Sequence, residues 1–352
     1  MIVNIQYLRF IAAFSVIIAH AALQMYGVDA QITNAFGVGV DIFFVISGFI
    51  MPFIIYGGYY HHGLEPKYSP LAFMKKRIIR IWPLFFIATS SVLALSFFVS
   101  SEIISNPTAD FAYLFNSSNL DASWYFKSLV FASFDKHLMM TISWTLQYEF
   151  IFYTALAILI ALKFKKIESF EVFIILFFVS GNVLRTSGYL DGNISTVIFH
   201  PMMAEFILGM YLYRIVSAGI KLPIFVSALI FILFIPAFIL LNSPYMSFSS
   251  ELFRLILWGG PAFLLVWAAL SLEGYIPKNK LFLLFGDASY SLYLSHGITA
   301  PLFILFWQKL ELQHSINISF FIFFYCIFCQ YCGVLCYKYI ERPISKKLNR
   351  GK

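Results

Sequence analysis

The chain has 352 residues, of which 61% are hydrophobic and only 12% charged, and its mean hydropathy is +0.82. Soluble domains carry about a quarter charged residues, so this composition excludes a water-facing globule and makes lipid the solvent. The formal charge of +7 does not signal nucleic acid, because Lys and Arg fall in short clusters between apolar runs rather than in a basic stripe interleaved with aromatics.

The first apolar run lies near 5–26. It has the outline of a signal peptide ending near Ala19, His20 and Ala21, but it lacks a basic n-region and Arg9 interrupts it, so we read it as a retained helix. Nine further runs follow near 37–56, 82–100, 144–163, 170–187, 196–216, 222–242, 251–270, 282–307 and 316–337, each long enough to span a bilayer. The expected fold is therefore all-α: a polytopic integral membrane protein of about ten transmembrane helices, with residues 1–352 forming a single domain. The last run holds all four cysteines, Cys326, Cys329, Cys332 and Cys336. Their spacing mimics an iron–sulfur motif, but Tyr337 stands where the proline should follow. At helical spacing all four share one side of a helix, which reads as packing. No metal-ligand spacing occurs elsewhere.

An even number of crossings puts both termini on one side. The loops on that side and the C-terminal tail collect eighteen Lys and Arg residues, against four in the opposite loops. By the positive-inside rule both termini are cytoplasmic, as expected of a multi-pass protein of the cell (inner) membrane. The segment from 101 to 143, with Glu102, Asp110, Asp121 and Asp135, then faces outward.

Ionisable residues within spans are costly and mark functional interiors. Counted at about 1.5 Å per residue, His20, Asp41, Glu149 and His296 all fall near the outer level of their helices. Arg9, Arg77 and Arg80 fall near the inner level. Arg9 and His20 are about 16 Å apart along one helix. Each residue alone has a plainer reading: Arg77 and Arg80 as anchoring charges, His296 as a packing residue, Asp41 and Glu149 as a structural pair. Together they describe an anion-binding layer inside and an acid–base layer outside, a pair of sites that a long polyanionic acyl donor would bridge.

Six sequence blocks carry a resemblance. They are Gln6-Tyr7-Leu8-Arg9 with His20 after ten intervening residues; Gly39-Val40-Asp41 through Ser47-Gly48-Phe49; Arg77-Ile78-Ile79-Arg80-Ile81-Trp82-Pro83; Ser143-Trp144-Thr145-Leu146-Gln147-Tyr148-Glu149 with Phe152-Tyr153; Gly286-Asp287 through Ser295-His296; and Ile340-Glu341-Arg342-Pro343. In this order, over nearly the whole chain, they resemble the membrane acyltransferase-3 family and especially its exopolysaccharide-production branch. The resemblance implies transfer of an acetyl group from cytoplasmic acetyl-CoA, a co-substrate rather than a permanently bound cofactor, to a hydroxyl of an extracytoplasmic carbohydrate acceptor. Its partners would be acetyl-CoA, the acceptor and the lipid bilayer. No appended hydrolase-like domain is expected, so the chemistry would lie in the membrane unit.

On this reading His20 is the acid–base residue or a transient acetyl carrier. Asp41 or Glu149 would orient it, as a triad's third member does, with Asp41 preferred as the orienter and Glu149 as a partner near the acceptor, and His296 would support them. Arg9, Arg77 and Arg80 would bind the donor's phosphates. The competing class is a transporter or flippase for a polysaccharide intermediate, although neither an internal repeat nor a matched pair of broken helices is visible. A structural assembly subunit is a third option, and it would leave the deep His and Arg residues without a role.

Overall fold

The structure, a computed structural model, describes residues 2–100, 120–241 and 254–350. Regular structure among them is helical throughout. Helix α1 (Val3–Ala19) leads through a 3₁₀ turn and the short α2 (Ala30–Ala35) into α3 (Val38–Tyr56) and then the long α4 (Pro70–Ser100). Next come α5 (Ala122–Leu129), α6 (Trp144–Ala161), α7 (Ile167–Thr186), α8 (Asn193–Ile198), α9 (Met203–Ser217) and α10 (Ile224–Leu241). A π-helical turn (Leu255–Gly259) runs into α11 (Gly260–Ser271), followed by α12 (Lys280–Asp287), α13 (Ser289–Lys309) and α14 (Ile318–Cys336). A second π turn (Tyr337–Glu341) joins α14 to α15 (Arg342–Arg350). The expected Glu102 and Asp110 of the outward segment lie outside the described residues.

Among the described residues six helical stretches are long and apolar enough to cross a membrane: Ala30–Tyr56, Pro70–Phe98, Thr141–Ala161, Ile167–Thr186, Asn193–Ser217 and Ile318–Asn349. Val3–Ala19, Ile224–Phe238 and Leu255–Ser271 are apolar but shorter. Helix α13 has the length, with 21 residues, but Ser, His, Gln and Lys dilute its hydropathy. Large apolar side chains on the outer faces of α7 and α10, including Leu176, Phe225 and Ile232, are exposed. In water such a surface would aggregate; in a multi-pass membrane protein it meets lipid.

The core is tightest where α3 crosses α9. A Cβ added to Gly48 would strike the carbonyl of Phe206, and one added to Gly209 the carbonyl of Val45. Two glycines thus let the backbones touch, as small residues do where membrane helices cross closely. Around that contact Phe206 stacks on Phe44 at 4.6 Å and on Phe152 at 4.7 Å between ring centroids, which ties α3, α6 and α9 into one unit.

Helix α1 is anchored at both ends. The N–H groups of Val3 and Asn4 each donate to the Glu273 carboxylate at 2.9 Å, so an anion satisfies the positive end of the helix. At the other end the helix stops at Ala19 rather than near residue 26 as the apolar run suggests. Ala22 takes a left-handed conformation, φ +49°, which an α-helix cannot continue through. The Val16 carbonyl accepts from the His20 ring at 2.9 Å, and the Ile17 carbonyl accepts from both the His20 backbone N–H at 3.2 Å and the Tyr325 hydroxyl at 2.8 Å. On α14, Cys326 and Cys329 are buried beside Phe321 and Tyr325, while Cys332 and Cys336 are half-buried, all as free thiols.

Candidate active site

Two cavities lie end to end along α1. The first, about 220 Å³, is lined by Arg9, Arg77, Arg80, Glu149, Tyr153 and Tyr293 among others. Arg9 lies two turns into α1. Arg77 and Arg80 are three residues apart on α4 and so share a face of it. Arg9 donates from Nη1 to Gln6 at 3.3 Å, and Arg77 Nε is buried with no bond among the described residues. Glu149 is fully engaged: Ser47 and Tyr153 donate to its two oxygens, each at 2.8 Å. Three guanidinium groups line this cavity with one carboxylate, and a second carboxylate, Glu341, pairs with Arg80 from outside it; the balance is still cationic, with donors left over that suit phosphate.

The second cavity, about 190 Å³, is lined by His20, His296, Gln24, Ile142 and Pro301 among others. The His20 and His296 rings lie 5.1 Å apart. His20 Nδ1 sits 2.9 Å from the Val16 carbonyl. A carbonyl only accepts, so Nδ1 carries the ring proton and Nε2 keeps a free lone pair. That is the state a general base requires. His296 is buried, and neither of its ring nitrogens has a bond among the described residues.

Tyr293 links the two cavities. It lines the first, and its ring lies 5.7 Å from that of His296 in the second. Its hydroxyl donates to the Ile142 carbonyl at 2.5 Å and accepts from Thr145 Oγ1 at 2.8 Å. Ile142 belongs to the second cavity and Thr145 to the first.

Arg9, Arg77 and Arg80 line the first cavity together, and His20 and His296 line the second. Two placements differ from the sequence expectation. Glu149 does not share His20's level: Ile142 does, and Glu149 lies seven residues further on, about 10 Å deeper, among the arginines. The apolar run that set its depth begins later than the structured entry to α6, the 3₁₀ turn Thr141–Ser143. Asp41 does not orient His20. Val40, Phe43 and Ser47 face the first cavity, and Asp41, rotated by about 100° from Val40, faces away. Its fully buried Oδ2 pairs with Arg254 Nη2 at 3.3 Å, with Glu205 alongside, and Arg254 in turn lies 4.5 Å over the Trp258 ring. Depth is one coordinate; azimuth and helix neighbours supply the others.

Several residues at the site went unassigned from sequence. Tyr153 is four residues after Glu149, a spacing that makes side chains meet on a helix. Tyr293 lies between Asp287 and His296 in the sequence, but nothing local announces its partners. Among the described residues no three His, Cys, Asp or Glu side chains are grouped to hold a metal ion.

The chain matches the model of the acyltransferase domain over residues 2–337. It is similar to the exopolysaccharide production protein ExoZ of Rhizobium meliloti (strain 1021), 27% identical over 324 residues that cover 89% of this chain and 90% of that protein. It is also similar to the O-acetyltransferase OatA of Staphylococcus aureus (strain NCTC 8325 / PS 47), 26% identical over 362 aligned residues. That match covers 95% of this chain but 56% of the longer protein. No solved structure gives a significant match.

Proposed function

The chain belongs to the acyltransferase domain family, and on that footing we propose that it moves an acetyl group from cytoplasmic acetyl-CoA to a hydroxyl of a cell-surface or exported polysaccharide, or of its lipid-linked precursor. The observation that carries this reading is the juxtaposition of an arginine-lined cavity and a histidine cavity, with Tyr293 reaching from the first toward His296 in the second. The donor's phosphates bind Arg9, Arg77 and Arg80, and its extended arm brings the thioester toward the histidines. His20 Nε2 takes the proton of the acceptor hydroxyl, whose oxygen attacks the thioester carbonyl carbon. The C–S bond breaks, and the thiolate takes the proton back from the imidazolium. A covalent route starts from the same lone pair: Nε2 attacks the carbonyl, the C–S bond breaks to release the thiolate, and the sugar hydroxyl then displaces the imidazole, its proton going to the thiolate. His296 supports His20 from across the cavity. Coenzyme A comes and goes as a co-substrate, with no resident cofactor.

The test is direct. Purified protein given acetyl-CoA and acceptor glycan should release one free thiol for each acetyl group gained by the glycan, measured by thiol titration and mass spectrometry. Thiol release without acetylated glycan, or neither, would reject the reaction.

The same reading places the N-terminal end of α1, the arginine cavity and the C-terminus on the cytoplasmic side of the inner membrane, with about ten crossings. In a variant lacking Cys326, Cys329, Cys332 and Cys336, Ser123→Cys should react with an impermeant maleimide in intact spheroplasts, and Asn349→Cys only after lysis. Both positions are exposed. The opposite labelling pattern would put the arginine cavity on the wrong side for a cytoplasmic donor.

A further inference from the structure

The Ile340–Pro343 block and Ser291 take no part in the mechanism above, yet the structure gives them a definite place. Glu341 ends the π turn that follows α14. A π turn takes one residue more than an α turn and so resets which face the next residues present; here Glu341 is buried at 4% exposure. One carboxylate oxygen pairs with Arg80 Nη1. The other accepts from Ser291 Oγ at 2.6 Å. Arg80 also lies over the Tyr290 ring, its Cζ 5.8 Å from the centroid, and that ring is held by the Tyr290 hydroxyl donating to the Ile81 carbonyl at 2.7 Å.

We propose that Glu341, itself held by Ser291, is a positioning residue that grips one edge of the Arg80 guanidinium and aims the other edge at the donor's phosphates. The inference rests on the donor-binding reading of the arginine cavity. Glu341 does not line that cavity; it meets Arg80 from behind, beside Pro83 and Ile344. It therefore orients the guanidinium without competing for the face that phosphate would use. Released from this grip, Arg80 becomes a long side chain with many rotamers, and a bound donor has to order it again. The cost falls on donor binding rather than on the acyl-transfer step, because His20 and His296 are untouched.

Steady-state kinetics in acetyl-CoA tests this on the purified, full-length chain. Glu341→Ala should raise KM about tenfold, the loss expected of one charge-assisted contact, with kcat changed little. Ser291→Ala, which removes one bond to Glu341 and leaves the ion pair, should raise KM by a smaller factor in the same direction, and it keeps the test open if Glu341→Ala does not accumulate. Glu341→Gln keeps an acceptor for Arg80 and should recover part of the loss. The double variant Arg80→Ala with Glu341→Ala should have a KM no higher than Arg80→Ala alone, because the two side chains act through one contact. If Arg80→Ala raises KM but Glu341→Ala and Ser291→Ala leave it at the wild-type value while lowering only the melting temperature, Glu341 is a structural staple for α15 and the positioning role is overturned. If Arg80→Ala itself leaves KM unchanged, the donor-binding reading of the cavity fails and takes the inference with it.

Discussion

His20→Ala should lower glycan acetylation by a factor of about 10²–10⁴, the contribution typical of a general base, while the protein remains in the membrane at its wild-type level. The structural cost is small for a specific reason. The imidazole makes one hydrogen bond, to the Val16 carbonyl, and it opens onto a cavity where water can replace it as donor. Helix α1 keeps its other terminal contacts, from Tyr325 at one end and Glu273 at the other. Donor affinity, measured by calorimetry, should stay near normal because no arginine is disturbed. Wild-type acetylation by a stably expressed His20→Ala protein would remove His20 from the chemistry. A tenfold weaker donor would show that the two cavities are not separate in function.

Gly48→Val should have the larger effect on folding, with little or no protein recovered from the membrane in a monodisperse state. Even the first added carbon meets the Phe206 carbonyl, and a backbone carbonyl cannot rotate aside as a side chain does. The α3–α9 contact must open instead. Overpacking typically costs about 1–3 kcal/mol where side chains can give way, and more where two backbones must part. The Phe44, Phe206 and Phe152 stack spans the same contact, so its packing is lost along with the close approach. Gly58→Ala serves as the control: no atom lies within 4 Å of the added carbon there, and yield should match the parent. Fluorescence-detected size exclusion on both variants decides the matter. A normal profile for Gly48→Val would mean that the crossing is looser than described.

The helices were legible in the residues because lipid leaves a chain few alternatives: unpaired backbone groups cannot be tolerated there, so every long apolar run had to be helical. Where helices end was less legible. Nothing in the pattern around His20 marks the end of α1, yet His20 leaves helical geometry there, with φ −102° and ψ 15°, and lines the second cavity. The site shows the same division. Arg77 and Arg80 reveal their common face by spacing alone, and His20 and His296 meet because their depths match and their helices happen to be neighbours. Asp41 finds Arg254 across 213 residues, a pairing set by which helices pack together. Glu149 joined the arginines because the chain enters α6 higher than its apolar run begins.

The bond from His20 Nδ1 goes to the main chain, and that has a consequence for anyone searching for a catalytic triad. Side-chain partners can be deleted one at a time; a carbonyl cannot. An alanine scan around His20 should therefore find no carboxylate whose loss strands the imidazole in the wrong tautomer, because every substitution at Val16 still presents the same oxygen. What would strand it is a change in the path of the last turn of α1, such as a proline at Ile17, which disfavours helical ψ at Val16 and would turn the Val16 carbonyl away from the ring. The tautomer of this imidazole is thus set by the helix rather than by a side chain, and substitutions at most neighbouring positions would leave it unchanged.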